Sequence, residues 1–418
     1  MTGRRPVITL LVALLSTSCA ANETSPDPTR SSYPSPSPSA VATPLAIPIA
    51  TPSPVPTASP TTAPIGDWKE VPAQASVKGT QFQDVVWTGR RFVAVGVARS
   101  GADVFLDSTD GSSWNRQSDL NANAHPARLA AGPGGVVAVG AIGERPASWF
   151  STDGLAWTAQ RNAFPMPDIG DDTVTVTDVV ANGNGWLAVG RQDPFCQIDC
   201  GTSARRGLAW TSSNGSEWAM TTGQEAFRGA GLNAVTRGAD EFAAVGNAGG
   251  HAVIVTSPDG LKWSRVPDDP MFGSRTSGDG PPVAATAVAW DDGALVVLGV
   301  VQAETYRVRA WWSPDGRTWS RAEVDKAVDG QVFSATTTPI GFHATGPSGG
   351  DGCRGGIWTS TDGRAWRCDA TVAAFEGFGP YAAAANDDVV VAVGLTSARV
   401  DDDAPDGLPG AAWFRTLR

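Results

Sequence analysis

The sequence predicts an all-β chain folded as a seven-bladed β-propeller of four-stranded antiparallel blades, on three observations. A phrase of the form Ser-x-Asp-Gly-x-x-Trp occurs six times: STDGSSW at 108–114, STDGLAW at 151–157, SSNGSEW at 212–218, SPDGLKW at 257–263, SPDGRTW at 313–319 and STDGRAW at 360–366. A short apolar run closed by glycine recurs at Gly96, Gly140, Gly190, Gly246, Gly299, Gly346 and Gly394, a spacing of about 50 residues that marks a blade-type repeat. Beyond the N-terminal segment no stretch carries helical periodicity.

The elements follow in order along the chain. Arg4-Arg5 and the apolar run PVITLLVALLSTSCA predict a signal peptide over 1–19, too short to span a bilayer. Cys19 at its end resembles the lipidated cysteine of bacterial lipoproteins, although Ser16-Thr17-Ser18 precede it and the usual leucine sits one place early, at Leu15. Residues 20–64 hold 12 of the chain's 31 prolines among Ser, Thr and Ala. Such a composition builds no core and predicts a disordered tether reaching roughly 140 Å at about 3.1 Å per residue.

From 65 to 418 each unit has one grammar: an apolar strand, a Gly- or Asp-containing turn, the glycine-closed strand, a variable loop, a third strand often bearing Trp, the heptapeptide and a short fourth strand. Six heptapeptides face seven glycine-closed strands. The seventh unit ends at AAWFRTLR, with Trp413 in the place held by Trp149, Trp210, Trp311 and Trp358 elsewhere, and no heptapeptide follows. The missing piece stands at the other end, where GDWKEV (66–71) imitates the close of a heptapeptide and the strand after it. The N-terminal strand is therefore expected to complete the last blade, which removes the open edges of the ring.

In the heptapeptide the carboxylate is expected to accept hydrogen bonds from backbone N–H groups one or two residues on, with Gly supplying a positive φ. Asn214, the one departure from Asp, makes the same bond. The closing Trp is expected to pack between neighbouring sheets. These residues resemble the Asp-box, or BNR, repeat of sialidases and other β-propellers. That resemblance covers 66–418 and implies a structural hairpin for Asp110, Asp153, Asn214, Asp259, Asp315 and Asp362, away from the functional face.

Besides Cys19 the chain has Cys196, Cys200, Cys353 and Cys368, and an even number in an exported chain predicts two disulfides, Cys196–Cys200 and Cys353–Cys368. The second would link the third and fourth strands of unit six. No metal site is expected, because Cys-x3-Cys is loose spacing and His125, His251 and His343 fall in three different units. Asp401-Asp402-Asp403 with Asp406 offers oxygens for calcium but reads as a solvated acidic loop. A net charge of −11 with no basic stripe excludes nucleic acid and anionic membrane surfaces as partners.

Function is expected on the face opposite the heptapeptides, where the long loops gather around the channel mouth. Aligned innermost strands place Asp84, Arg128, Asp178, Asn233, Ala287 and Ser334 at equivalent positions, with Tyr381 close by; Arg205 and Arg206 lie in the longest loop. The reading is an exported, extracytoplasmic, monomeric module at a bacterial cell surface, held by lipid at Cys19 or secreted, binding protein or glycan without catalysis. No cofactor fingerprint is present. Two other readings stand beside it. One is a glycoside hydrolase of exo-sialidase type; yet the sialidase Phe-Arg-Ile-Pro signature is absent, only Tyr306 and Tyr381 lie in the ring, and sialidase rings have six blades. The other is an assembly or scaffold factor for a membrane complex, resembling seven-bladed photosystem stability factors.

Overall fold

The computed structural model describes residues 66–417 except 73, 99, 118–119, 121–122, 169–171, 184, 195–204, 274–280, 292, 350–351, 370–378 and 396–409. Cys19, the signal segment and the Pro-rich stretch therefore lie outside the described residues. So do Cys196, Cys200 and the Asp401–Asp406 loop.

Seven sheets form the ring. Their innermost strands are Thr80–Trp87, Ala124–Gly132, Thr173–Asn182, Gly231–Arg237, Val283–Trp290, Ser334–Thr338 and Pro380–Ala385. Each is followed outward by the glycine-closed strand, a third strand and a short fourth one. Both faces of every sheet pack on a neighbouring blade, so strands such as Phe92–Ala98 are buried almost throughout. That is why they read as continuous apolar runs and not as alternating ones. Between blades two and three, for example, Val137, Val139, Val174, Val176, Trp186 and Trp210 share one core. The described helix amounts to one turn, Ala75–Lys78, with two short 3-10 turns.

Closure is as the sequence predicts. Lys69–Glu70 pairs with Gly410–Thr416, setting Glu70 opposite Trp413, just as Met220 stands opposite Trp210 in blade three. Trp68 thus takes the place of a heptapeptide Trp. Its indole N–H donates to Asp369 (3.0 Å), and Arg415 holds both oxygens of that carboxylate while stacking over the Trp68 ring at 4.8 Å. The closing segment is therefore locked by a buried ion pair under an indole, where breaking one partner would leave an uncompensated charge.

Blade six departs from the four-strand plan. Glu323–Val324 adds a fifth strand, parallel to Ala365–Trp366, because the connection from blade five runs along its outer edge. The Cys353–Cys368 disulfide is present, but Cys353 lies in the loop before the third strand, Ile357–Ser360, and not on it.

The heptapeptides form one turn six times over. In blade one Asp110 accepts from the N–H groups of Ser112 and Ser113, both at 2.8 Å, so the bonds reach two and three residues on, one further than expected. The Ser108 hydroxyl accepts from Gly111 N–H at 2.9 Å, and Gly111 has φ +77°. Asn214 makes the same pair of bonds. The Trp indole usually closes the turn on the glycine carbonyl, as Trp114 does at 3.1 Å. Trp218 instead donates to Ser148 of blade two, and Trp157 stacks on Phe105.

Candidate functional site

At the inner end of six of the seven blades a second device repeats. The pairing of the innermost strand slips by one residue between Phe82 and Asp84, Pro126 and Arg128, Val176 and Asp178, Leu232 and Ala234, Ala285 and Ala287, and Pro380 and Ala382. Each slip is a β-bulge opposite the glycine of the glycine-closed strand. The bulge brings the partner backbone so close that a Cβ on Gly140 or Gly246 would overlap the carbonyl of His125 or Gly231. This close approach explains why the apolar run ends in glycine.

The bulges line the central channel, a cavity of about 200 Å³ that touches Asp84, Arg128, Asp178, Asn233, Ser334 and Tyr381. All the channel residues singled out in the sequence thus meet there, with one correction. Asn233 is itself the bulged residue, level with Gln83, Thr177, Thr286 and Tyr381, whereas Ala234 is the equivalent of Asp84. The distance to the closing glycine marks it, since Ala234 lies 12 residues before Gly246 as Asp84 lies 12 before Gly96.

Most of the channel's polar groups are taken up by the next blade. Asp84 accepts from Val85 N–H (2.9 Å) at one oxygen and from Leu129 N–H of blade two (2.8 Å) at the other. Asp178 repeats this with Val179 (2.9 Å) and Val235 of blade four (2.8 Å). Thr177, Asn233 and Thr286 donate to the carbonyls of Leu232, Ala285 and Val332, each on the following blade. These side chains stitch neighbouring blades together and satisfy backbone groups that the bulges leave unpaired.

Both carboxyl groups open partly to the channel, yet protein surrounds them. Burial lifts Asp84 to about 6, against the pull of Arg128 and of the Leu129 and Val85 amides. Burial likewise lifts Asp178 to about 7, with Arg128 and Val235 N–H opposing and the Asp84 charge adding to the rise.

Several lining side chains are left without a hydrogen-bond partner among the described residues of the next blade, including Gln83, Ser334, Arg128 and Tyr381. The Arg128 guanidinium, which interacts electrostatically with both carboxylates, lines the cavity and donates to the Ala127 carbonyl (3.0 Å), which leaves most of its five N–H groups without a partner among the described residues. The Tyr381 hydroxyl has no hydrogen-bond partner among the described residues, and burial raises its pKa. Its ring meets Phe333 edge-on at 5.2 Å, so blades six and seven give an aromatic wall facing the charged one. Phe333 has no counterpart in the sequence reading, since it matches its bulge equivalents only in position.

The arginines named beside Arg128 do not converge on the channel. Arg205 pairs with Asp193, which Arg191 also holds at 2.9 Å while reaching Asn233 at 3.1 Å. Arg206 is exposed at the start of the third strand of blade three. Tyr306 is exposed on the third strand of blade five, outside the cavity. The three histidines stay apart: His125 pairs with Asp103 at 2.6 Å, His251 lies by Asp268, and His343 is buried near Asp369 and Arg415, with burial pushing its pKa down to about 4. No cluster of metal-ligating residues occurs among the described residues.

No family model matches the chain, and no curated protein does. Solved structures similar to it are β-propellers. Trypanosoma rangeli sialidase is 14% identical, with 73% of this chain and 56% of the sialidase covered and a TM-score of 0.43. The WD40 β-propeller domain of Doa1 is 11% identical, covering 83% of this chain and 96% of that one, TM-score 0.48. The propeller domain of the Trilobed protease from Pyrococcus furiosus is 11% identical over 82% and 98%, TM-score 0.48. The likeness is one of fold. The chain spans little more than half of the sialidase it resembles.

Proposed function

We propose that the chain is an exported, surface-tethered module that binds a glycan at the channel mouth without cleaving it, with the loop face around the mouth extending the contact. The observation that supports this reading most is the division of the channel. Its carboxylates are engaged by backbone N–H groups, while Arg128 and Tyr381 line the cavity with donors that no described residue takes up, beside the Phe333–Tyr381 aromatic pair. A sugar presents an apolar ring face and a rim of hydroxyl oxygens, and that pairing of surfaces complements an aromatic wall facing a planar donor. A tether through Cys19 would hold the disc clear of a membrane.

One observation favours a second reading, a glycoside hydrolase. Asp84 and Asp178 share one cavity and both titrate near neutrality, as acid–base carboxyls do. A glycan panel presented to the purified protein, with bound ligand and cleavage products read together by mass spectrometry, separates the two. Binding that Arg128→Gln and Tyr381→Phe both weaken, without products, is the expected result. Turnover abolished by Asp84→Asn or Asp178→Asn would establish the hydrolase instead. A panel that neither binds nor is cleaved would leave a protein partner.

A further inference from the structure

Blade five carries an arginine where the other blades carry core. The residue opposite the bulge glycine on the third strand is Val104 in blade one, Ala147 in two, Leu208 in three, Val253 in four and Ala411 in seven, and all five are buried. In blade five that residue is Arg309, opposite Gly299, and it is half-buried. Arg307 and Trp311 lie on the same face of the strand, two residues to either side. Arg321, on the fourth strand, stands opposite Trp311 and so shares that face, within reach of Arg309 as a diagonal neighbour.

None of these three guanidinium groups has a hydrogen bond or ion pair among the described residues. The other enclosed arginines of the ring do: Arg91 faces Asp107, Arg191 and Arg205 face Asp193, and Arg415 faces Asp369. Burial, and then the like charge of Arg321, push the Arg309 guanidinium below its ordinary pKa. A half-buried cation left uncompensated among the described residues beside a second one is costly, and it is conspicuous in a chain of net charge −11.

We infer that Arg309 and Arg321, with Arg307 at the exposed end, form a binding site for a tetrahedral oxyanion, a phosphate or sulfate ester, on the outer part of blade five. Two neighbouring guanidinium groups, Arg309 and Arg321, match an anion that offers several oxygens and more than one charge, as a monocarboxylate does not. The site is separate from the channel, so either proposal stands if the other fails.

The test is calorimetric titration of the full chain with inorganic phosphate, sulfate and acetate at constant ionic strength, together with thermal unfolding. Phosphate or sulfate is expected to bind saturably and acetate not at all. A preference for phosphate points to a phosphate ester and a preference for sulfate to a sulfate ester. Arg309→Val, which restores the residue of blade four, is expected to weaken binding by about tenfold or more, the effect of one charge-assisted bond. The same variant is expected to unfold at a higher temperature than the parent when no anion is present. Arg321→Gln is expected to weaken binding less, and Arg317→Gln not at all, because Arg317 is already paired with Glu241. Absence of saturable binding to either oxyanion would overturn the inference. So would undiminished binding by Arg309→Val, since an unfolding shift shared by that variant is only the general effect of an excluded salt.

Discussion

The two ends of each blade solve the same problem in different ways. At the outer turn Asp110 or Asp259 satisfies N–H groups two and three residues away, so each turn is complete within itself. At the inner bulge Asp84 and Asp178 satisfy an N–H of the next blade, 45 and 57 residues on. The outer device repeats as a sequence phrase because the bonds of its Ser and Asp side chains are local. The inner device repeats as geometry: Gln83, Thr177, Asn233, Thr286 and Tyr381 share a place, but only Thr177, Asn233 and Thr286 share the bond to the next blade. Where the side chain is free to vary it is also free to specialise, and the uncommitted groups of Arg128 and Tyr381 are found there.

The glycines separate the two ends most sharply. Gly246→Ala drives a methyl into the Gly231 carbonyl and is expected to cost about 3 kcal/mol or more, or to prevent folding. Gly260→Ala, in an outer turn at φ +75° with only the Leu187 and Thr211 side chains nearby, is expected to cost about 1–2 kcal/mol. Urea unfolding of both variants reads the difference; equal costs would dissolve the distinction.

The carboxylates come next. Asp178→Ala strands two enclosed N–H donors and is expected to lose about 2–4 kcal/mol. Asp259→Ala leaves its N–H groups open to water and is expected to lose about 1 kcal/mol, as a cap does.

The pH dependence has opposite signs at the two ends. Asp84 and Asp178 titrate above the ordinary carboxylate value of 3.8, so the stability they contribute is full below about 4 and is lost as pH rises through 6 to 7. Asp153, Asp259 and Asp315 are held below 3.8 by backbone N–H bonds; their contribution is present above about 4 and lost as pH falls beneath it. Unfolding followed from pH 5 to 8 is expected to flatten in Asp84→Asn/Asp178→Asn and to keep its slope in Asp259→Asn.

The smallest effect is expected from Asn214→Asp, which converts the one variant turn to the common form and should shift stability by about 0.5 kcal/mol or less at neutral pH.

The same contrast governs what the sequence discloses. Ring size, the six turns and the N-terminal closing strand are all legible, because a turn phrase and an apolar run are local patterns. The placement of Trp413 against an absent heptapeptide was enough to find Lys69–Glu70. The offset of Asn233 is legible as well, because Ala234 lies 12 residues before Gly246 just as Asp84 and Asp178 lie 12 before Gly96 and Gly190. Phe333 and Arg191 are hidden because their roles depend on neighbours across the ring. The parallel strand Glu323–Val324 is hidden because its partner, Ala365–Trp366, already belongs to a heptapeptide hairpin.

The measurement that bears most directly on the account compares Arg128→Gln, Tyr381→Phe and Asp178→Asn for glycan binding and for stability in the same preparations. The account predicts that the first two bind at least about tenfold more weakly at unchanged stability, while the third loses stability and cleaves nothing because the parent cleaves nothing. Full binding by Arg128→Gln and Tyr381→Phe, or glycoside turnover by the parent that Asp178→Asn abolishes, would contradict it.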